Sequence, residues 1–214
     1  MKQEIIDSYN RLNSLNVSRE TFLDFELFIS MIRKKNKEIN LISKETAKES
    51  EIRNRHIVDS AQIIDFIDFN QNTTTDLGSG GGLPGIVIAI ILKNMKKEMK
   101  VHLYEKSYHK SNFLKEISKK FKLNTEINQK NIFEQKNLET DIIISRAFKP
   151  LPVIFEIASK NFKKYKYIIL FLGKSGKEIL KVASKKWKFD YEEKKSLTSS
   201  ESLVVKISNL KKNG

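Results

Sequence analysis

Several residue types and patterns that carry particular chemistries are missing from this 214-residue chain. It contains no cysteine, which excludes disulfide bonds, thiolate metal sites and cysteine nucleophiles. It has no apolar run near the ~20 residues that a membrane-spanning helix needs, and the N-terminus lacks the charged-then-apolar pattern of a secretion signal. We therefore expect a cytoplasmic protein that does not enter the membrane, built as one large domain or as one domain with a small extension.

Proline is also rare, and the first of the three prolines is Pro84. No residue before it therefore breaks the helices that the apolar spacing predicts. Ser18 is placed to be the N-cap of a first amphipathic helix, and a second helix is predicted over residues 49–69. We interpret residues 1–70 as an N-terminal helical extension that packs as one unit with a larger domain over residues 71–214.

Glycine is scarce and concentrated in one loop, since five of the eight glycines lie within Asp-Leu-Gly-Ser-Gly-Gly-Gly-Leu-Pro-Gly at residues 76–85. A strand-like segment, Thr73–Leu77, leads into the loop, and an apolar helix or strand candidate, Ile86–Leu92, follows it. The next strand candidate, Val101–Tyr104, is followed by Glu105. Strand, glycine loop, helix, strand and carboxylate form the first unit of a nucleotide-binding α/β fold.

The spacing of these glycines distinguishes between nucleotides. A dinucleotide loop requires a glycine or an alanine five residues after the first glycine, but Leu83 stands there and the pattern is Gly78-x-Gly80-x-Gly82. This pattern resembles the S-adenosylmethionine (AdoMet) loop of class I methyltransferases, whose cofactor carries no phosphate. Glu105 would then accept hydrogen bonds from both ribose hydroxyls. The alternative is a tight turn without a ligand, although such a turn needs one or two glycines rather than five.

The remaining pattern completes an α/β fold. Further strands are predicted at 123–127, 141–145, 167–172, 189–195 and 203–207, and further helices at 110–121, 150–162 and 175–186. This is the fold class of the class I AdoMet-dependent methyltransferases, a Rossmann-like, mostly parallel seven-stranded sheet with helices on both faces. Polar groups follow the strands at the glycine loop, Glu105, Asn131, Arg146 and Lys174, so we expect them to meet at one edge of the sheet.

Arg146 follows a strongly apolar strand, where an arginine rarely lacks a partner. It is a candidate for binding the AdoMet carboxylate or an RNA phosphate, and a salt bridge to a neighbouring acidic residue is the alternative. His56, Asp59 and Ser60 resemble a catalytic triad only in composition, because three residues this close on one helix cannot form a relay. The other histidines lack metal-ligand spacing, and we expect no metal site.

The net charge of +14 is concentrated in two segments. Residues 93–122 contain ten lysines and three acidic residues, and residues 160–214 contain fifteen lysines and five acidic residues. Such a distribution is typical of a protein that binds the phosphate backbone of a nucleic acid. The alternative is a lysine-rich surface that reflects an AT-biased genome, because lysine far exceeds arginine.

The absence of certain motifs also limits which atom of the substrate could accept the methyl group. Methylation of pyrimidine C5 usually needs a cysteine nucleophile, and methylation of an exocyclic amine usually uses an Asn/Asp-Pro-Pro-aromatic loop. The corresponding loop here is Ser145-Arg146-Ala147-Phe148. A ring nitrogen such as guanine N7 needs neither, since it has an in-plane lone pair and no proton to lose. Alignment with the methyl group and tolerance of the developing charge would then be sufficient.

Several motifs together resemble the RsmG (GidB) family of bacterial 16S rRNA methyltransferases. The segments are Asn40-Leu41-Ile42-Ser43, Arg55-His56-Ile57-Val58-Asp59-Ser60, the loop at 76–85 with its Leu-Pro-Gly ending, Ser145-Arg146-Ala147-Phe148 and Gly173-Lys174. Their order and spacing match the family across most of the chain. The resemblance implies AdoMet-dependent N7 methylation of guanine 527 in the 530 loop of 16S rRNA, with the small ribosomal subunit as the substrate.

The loop pattern and the resemblance together assign roles to individual residues. The predicted AdoMet-binding residues are Gly78, Gly80, Gly82, Leu83, Glu105, Asn131, Ile132 and Arg146. The RNA-binding candidates are Arg53, Arg55, His56, Lys106, Lys110, Lys149, Lys174 and Lys177, of which Lys174, like Arg146, could orient cofactor or RNA. We expect a monomer. Two rival functions stay open: a non-catalytic RNA- or ribosome-binding protein on the same fold, and a methyltransferase for another acceptor.

Overall fold

The computed structural model describes residues 9–15 and 17–213, in which helices are interspersed with strands along the chain. The strands are β1 (Thr73–Leu77), β2 (Lys100–Tyr104), β3 (Thr125–Asn128), β4 (Leu138–Glu139), β5 (Ile142–Ser145), β6 (Phe162–Lys164), β7 (Tyr167–Leu172), β8 (Trp187–Lys195) and β9 (Leu203–Lys212). The main helices are α1 (Arg19–Lys35), α2 (residues 49–66), α3 (Gly85–Asn94), α4 (Tyr108–Phe121), α5 (Leu151–Asn161) and α6 (Gly176–Ala183).

Seven strands form one sheet in the order β3-β2-β1-β5-β7-β9-β8. The first five strands of this order are mutually parallel, whereas β9 runs antiparallel to both β7 and β8. The predicted seven-stranded, mostly parallel sheet is therefore confirmed. Because the carboxyl ends of parallel strands share an edge, the loops after β1, β2, β3 and β5 meet there.

The structure differs from the predicted elements at several boundaries. Strands β4 and β6 form a separate parallel pair that the sequence did not predict, because segments this short cannot display the alternation that identifies a strand. Strands β8 and β9 pair along nearly their whole lengths and extend beyond the predicted ranges. The predicted division of the chain near residue 70 stays a prediction.

Helix α3 is buried on every side from Gly85 to Leu92, which accounts for its uninterrupted apolar sequence. A helix that is apolar all round must be covered on all faces, and α3 contacts both the sheet and α1. Phe25, Ile57 and Ile88 accordingly belong to one continuous core. The N-terminal helices thus pack on the sheet domain beside the glycine loop.

Helix α2 departs from the predicted helix over 49–69, because it ends at Phe66 and Ile67 is already extended. Its middle, Ile52–Val58, is a π-helix, a rare form that frequently occurs at functional sites.

The N-cap of α1 is confirmed, since Oγ of Ser18 accepts the N–H of Thr21 at 3.4 Å. Within the described ranges, no helix combines the length and apolarity required to cross a membrane.

Candidate active site

The loops that follow β1, β2, β3 and β5 surround a cavity of about 550 Å³ at the carboxyl edge of the sheet. Of the residues predicted to bind AdoMet, those lining this cavity are Gly78, Gly80, Leu83, Glu105, Asn131, Ile132 and Arg146. Four RNA-binding candidates, His56, Lys106, Lys110 and Lys149, line it as well. The fold thus brings residues that are distant in sequence to one place, as the strand-end argument predicts.

The glycine loop presents bare backbone to this cavity. Gly78 and Gly80 have φ angles of +71° and +54°, which glycine adopts without steric cost. A Cβ atom on Gly78 would lie 2.1 Å from the ring of Phe148, whereas a Cβ atom on Gly80 would have only the carbonyl oxygen of Gly78 nearby, at 3.8 Å. Gly78 therefore permits close packing, and Gly80 leaves an open face to a ligand.

Gly82, which was also predicted to bind the cofactor, does not line the cavity. Its φ angle is +90°, and a Cβ atom there would lie 2.6 Å from Cγ1 of Ile86 in the first turn of α3. Gly82 therefore serves the packing of the loop on the helix. Gly81 lines the cavity instead and packs against Leu41. The glycine spacing alone cannot show which glycines face a ligand and which face the protein.

Two backbone N–H groups hold the carboxylate of Glu105, directly after β2. Gly80 donates to Oε2 at 3.0 Å, and Ser107 donates to Oε1 at 2.7 Å. Both oxygens keep acceptor capacity for another donor, and the side chain lines the cavity. A fixed carboxylate with two acceptors suits the adjacent hydroxyls of a ribose, and that contact stays a prediction.

Arg146, which follows β5, is held by several neighbours. Its Nε donates to Oδ2 of Asp59 at 2.8 Å, and its Nη2 donates to the carbonyl oxygen of Arg55. Its guanidinium carbon lies 5.7 Å from the ring centre of Phe171. The salt bridge that the sequence left as an alternative is present. The predicted contact of Arg146 with AdoMet or RNA stays a prediction, supported by its position in the cavity wall.

His56 is a neutral hydrogen-bonding group. Nη1 of Arg146 lies 3.3 Å from its Nδ1 and can only donate, so Nδ1 accepts and the ring proton lies on Nε2, 2.9 Å from Oγ1 of Thr46. Burial, followed by the charge of Arg146, lowers the pKa of His56 to about 4. Both ring nitrogens of His56 thus face partners other than Asp59 and Ser60, so these three residues form no catalytic relay.

Asp76, the first residue of the loop motif, is buried beneath the loop. Its Oδ2 accepts the N–H of Gly85 at 3.1 Å, while its Oδ1 has no hydrogen-bond partner within the described part of the chain. Burial, with a smaller contribution from the charge of Glu105, raises the pKa of Asp76 to about 7. A substantial fraction of this carboxyl group therefore carries a proton near neutral pH.

We expect Asp76→Asn to stabilise the protein at about pH 8 and to have little effect at about pH 4. The pKa of Asp76 is raised from 3.8 to about 7. Between those values the folded state keeps a proton that the unfolded state has lost, so Asp76 lowers the free energy of unfolding increasingly as the pH rises. At about 1.4 kcal/mol per pH unit, the penalty that Asp76→Asn removes is on the order of 4 kcal/mol. Urea unfolding of both proteins at the two pH values measures it.

The free energy of unfolding of Asp76→Asn must be compared with that of the unchanged protein at the same pH. His56 also makes stability depend on pH in this range, but with the opposite sign. Its pKa is lowered from 6.5 to about 4, so its contribution to stability is lost as the pH falls through that range. This effect cancels in the difference between Asp76→Asn and the unchanged protein. A difference in the free energy of unfolding that did not vary with pH would contradict the raised pKa of Asp76.

Arg53, another RNA-binding candidate, is engaged in an ion pair within the protein. Its Nε and Nη2 donate to the two carboxylate oxygens of Glu26, both at 2.7 Å, and Nη2 also donates to Glu49 at 3.1 Å. Only 12% of the Arg53 side chain is exposed. This bidentate ion pair joins α1 to α2. It occupies the guanidinium N–H donors that would otherwise bind a phosphate in the same bidentate way.

Lys174 and Lys177, two further RNA-binding candidates, do not line the cavity, and their contact with RNA stays a prediction. Lys174 pairs with Glu201 at 2.8 Å, and Lys177 pairs with Glu193 at 3.1 Å. Both lysine side chains are highly exposed, so these pairs are weak and leave the lysines on the outer surface. Both lysines follow β7, the strand beside β5 on the side away from β1. They therefore lie farther from the first cavity than the residues that follow β5.

A second cavity of about 790 Å³ adjoins the first, and Arg146 and Ala147 line both. Its other walls include Arg55, Phe171 and most of the loop at residues 196–202 between β8 and β9. Arg55, an RNA-binding candidate, therefore lies at this second cavity rather than at the first. Its side chain is 66% exposed and pairs with a glutamate one turn earlier.

Sequence reasoning missed several residues of the first cavity. They are Leu41, Ile42, Ser79, Gly81, Tyr104, Lys130, Phe133, Ala147 and Phe148. Oδ1 of Asn36 accepts the N–H groups of both Leu41 and Ile42, at 2.8 and 3.0 Å, which holds their loop over the glycines. The segment Asn40–Ser43, which resembles a family motif, was a sequence signal that could have placed Leu41 and Ile42 at the site. Within residues 9–15 and 17–213, no group of three or more acidic or histidine side chains could hold a metal ion.

The strand order, with the glycine loop after β1 and a carboxylate after β2, defines the fold of the class I AdoMet-dependent methyltransferases. Among solved structures, TrmK from M. capricolum in complex with S-adenosyl-homocysteine aligns with a TM-score of 0.53 and 17% identity, over 70% of this chain and 66% of that chain. This likeness shows the fold. The family model "rRNA small subunit methyltransferase G" (GidB) matches residues 22–206. The chain belongs to this family.

Curated relatives agree with the family assignment along nearly the full chain. The ribosomal RNA small subunit methyltransferase G of Pelagibacter ubique is 54% identical over 98% of this chain and 99% of its own length. The protein of the same name from Rickettsia akari is 35% identical over 92% of this chain and 99% of its own length. The predicted family is confirmed, and with it a methyltransferase that uses AdoMet.

Proposed function

We propose that the chain methylates N7 of a guanine in the 16S rRNA of the small ribosomal subunit, and that the target is guanine 527 in the 530 loop. The observation that carries the proposal is the cavity itself. It combines an open glycine loop and a fixed Glu105, which suit a cofactor, with a lysine rim that suits RNA phosphates. A cytoplasmic monomer that acts on the subunit is part of the same proposal.

The residues of the cavity fit AdoMet. Gly80 leaves space for close approach to the backbone, and Glu105 offers two acceptors to the ribose. Leu83 and Ile132 add apolar surface to the lining for the adenine. When bound, AdoMet supplies an electrophilic methyl group on a sulfonium. The task of these residues is to hold and orient it.

The shortage of a general base in the cavity supports a ring nitrogen as acceptor. Among the described residues that line it, Glu105 is the one carboxylate, and two backbone N–H groups hold it. His56 is neutral, but its Nδ1 accepts from Arg146 and its Nε2 carries the proton. An exocyclic amine would need to lose a proton, whereas N7 of guanine has a lone pair and loses none.

The charge of the rim supports RNA as the substrate. Lys106, Lys110, Lys130 and Lys149 line the cavity, and a small neutral acceptor would gain nothing from four cations. Phosphate contacts release condensed counterions, so the affinity for RNA should fall steeply with salt. If salt hardly changed the affinity, the lysine argument would fail.

A methyl-transfer assay with labelled AdoMet and small subunits that lack this modification tests the proposal, with the product mapped by borohydride and aniline cleavage. A single cleavage in the 530 loop is the expected result. Transfer without cleavage would reject N7 chemistry, and no transfer despite measured AdoMet binding would reject this acceptor. Parallel reactions with naked 16S rRNA and with assembled subunits identify the form of the acceptor.

A further inference from the structure

Two phenylalanine rings and one lysine form a cluster at the rim of the first cavity. The ring centroids of Phe133 and Phe148 are 6.2 Å apart, and Nζ of Lys149 lies 5.8 and 6.0 Å from them. Phe133 is 45% exposed although it is a large apolar residue. All three line the cavity. We call this cluster the aromatic platform.

The platform is rigidly supported on the side of Phe133. Oδ1 of Asn131 accepts the N–H of Phe133 at 3.3 Å, and the neighbouring Ile132 is buried. From α5, Nδ2 of the buried Asn161 donates to the carbonyl oxygens of Ile132 and Gln135, both at 2.7 Å. Phe133 therefore projects from a short turn that is fixed before and after it, and little backbone freedom would be lost on binding.

On its other side the platform reaches the cofactor loop. The ring of Phe148 lies so close to Gly78 that a Cβ atom there would be 2.1 Å from it. Ala147 has a φ angle of +50°, a left-handed conformation that an alanine adopts only under constraint. It separates Arg146, which is paired with Asp59, from Phe148, which packs on the glycine loop.

We propose that Phe133 and Phe148 form a stacking surface for an unpaired base of the RNA substrate, with Lys149 binding the adjoining phosphate. This inference rests on the proposed function and names a part of its RNA site. Aromatic rings next to a cation are the usual means of holding single-stranded RNA, because every base has a π-face and brings a phosphate with it.

The charge distribution favours an RNA base over the adenine of the cofactor. AdoMet has no phosphate, and its sulfonium and amino groups outweigh its carboxylate, so Lys149 and the nearby Lys130 would repel rather than attract it. An RNA nucleotide presents a ring and an anion together. The exposed rim position of Phe133 is also accessible to a macromolecule from outside the cavity.

The test compares Phe133→Leu with Phe133→Trp in the full chain, and uses Tyr108→Leu as the matched control. Tyr108 is another exposed aromatic, 60% accessible, that does not line the cavity. The probe is a short single-stranded RNA with one 2-aminopurine, whose fluorescence falls when the base stacks. Calorimetry with AdoMet alone measures the cofactor affinity of each variant.

Phe133→Leu is expected to abolish the quenching and to raise the Kd for RNA about 10- to 100-fold, the range of one base–aromatic stack. Phe133→Trp should retain both, Tyr108→Leu should change neither, and the AdoMet Kd should stay within about twofold throughout. Weaker AdoMet binding with unchanged RNA binding would overturn the inference in favour of the adenine. An effect of Phe133→Leu no larger than that of Tyr108→Leu would overturn it as well.

Methyl transfer separates this inference from the proposed function. If the unchanged protein methylates subunits at N7 and Phe133→Leu leaves quenching and RNA affinity unaltered, the platform is wrong and the function stands. If no transfer to rRNA occurs but quenching depends on the ring at position 133, the RNA site stands and the methylation proposal is wrong.

Discussion

Replacing Gly80 with aspartate is expected to abolish AdoMet binding and leave the fold intact. Gly80 has a φ angle of +54°, a left-handed conformation that aspartate tolerates better than most residues. Only the carbonyl oxygen of Gly78 lies within 4 Å of the added Cβ atom, so the protein accommodates the side chain. The new carboxylate, however, extends from the loop that the cofactor must approach, and it adds a second negative charge near Glu105.

The expected rise in the AdoMet Kd exceeds about 100-fold, equivalent to roughly 2.8 kcal/mol, and isothermal calorimetry measures it. Gly173→Asp is the matched control, because a Cβ atom there meets nothing within 4 Å and Gly173 does not line the first cavity. Its affinity for AdoMet should be normal. Normal affinity in Gly80→Asp would remove the loop from the site.

The fold could be predicted where a pattern was long and self-contained. Strands β1 and β7 occupy the predicted residues, because β1 opens on three β-branched threonines, β7 is a continuous apolar run, and a glycine directly follows each strand. The end of α2 could not be predicted, since the residues that follow Phe66 are as apolar as those before it. Only the path of the chain toward β1 decides that Ile67 is extended.

The candidate site could be predicted where the backbone defines it and could not where loops from other segments enter. Gly80 and Glu105 are specified by one β-α-β unit, and the structure joins them by a hydrogen bond of 3.0 Å. Leu41 and Phe133 reach the cavity from separate loops whose positions depend on tertiary packing. The ion pair of Arg53 could not be predicted either, because its partner Glu26 is 27 residues away and no local pattern reveals the pair.

Asp59→Ala is expected to destabilise the protein by about 3–5 kcal/mol, the cost of leaving a nearly buried ion unpaired. Oδ2 of Asp59 accepts from Nε of Arg146 at 2.8 Å. Its Oδ1 accepts from Gln62 at 2.7 Å, Thr198 at 2.7 Å and Ser196 at 3.2 Å. Truncation therefore removes the counter-charge of Arg146 and the shared acceptor of three further donors. Urea unfolding at neutral pH measures the loss.

Glu201→Ala is the matched control, because it breaks the exposed pair with Lys174, in which 80% of the lysine and 59% of the glutamate side chain are accessible. Exposed pairs contribute about 0–1 kcal/mol, so this variant should unfold nearly like the unchanged protein. Adding Arg146→Met to Asp59→Ala should recover part of the loss, since the unpaired cation is then absent. Equal losses in Asp59→Ala and Glu201→Ala would contradict the role of Asp59.

Asp59→Ala is also expected to loosen the loop between β8 and β9. Ser196 and Thr198 are tied to α2 through Asp59, and the N–H of Leu197 is bonded to Oε1 of Gln62 at 2.8 Å. With the carboxylate removed, amide exchange should accelerate in residues 196–202 more than in β7, whose ladder to β9 is unaffected. Uniform acceleration along the chain would indicate a general loss of stability and no specific link between α2 and this loop. Selective acceleration would show that the buried carboxylate of Asp59 holds this wall of the second cavity to α2.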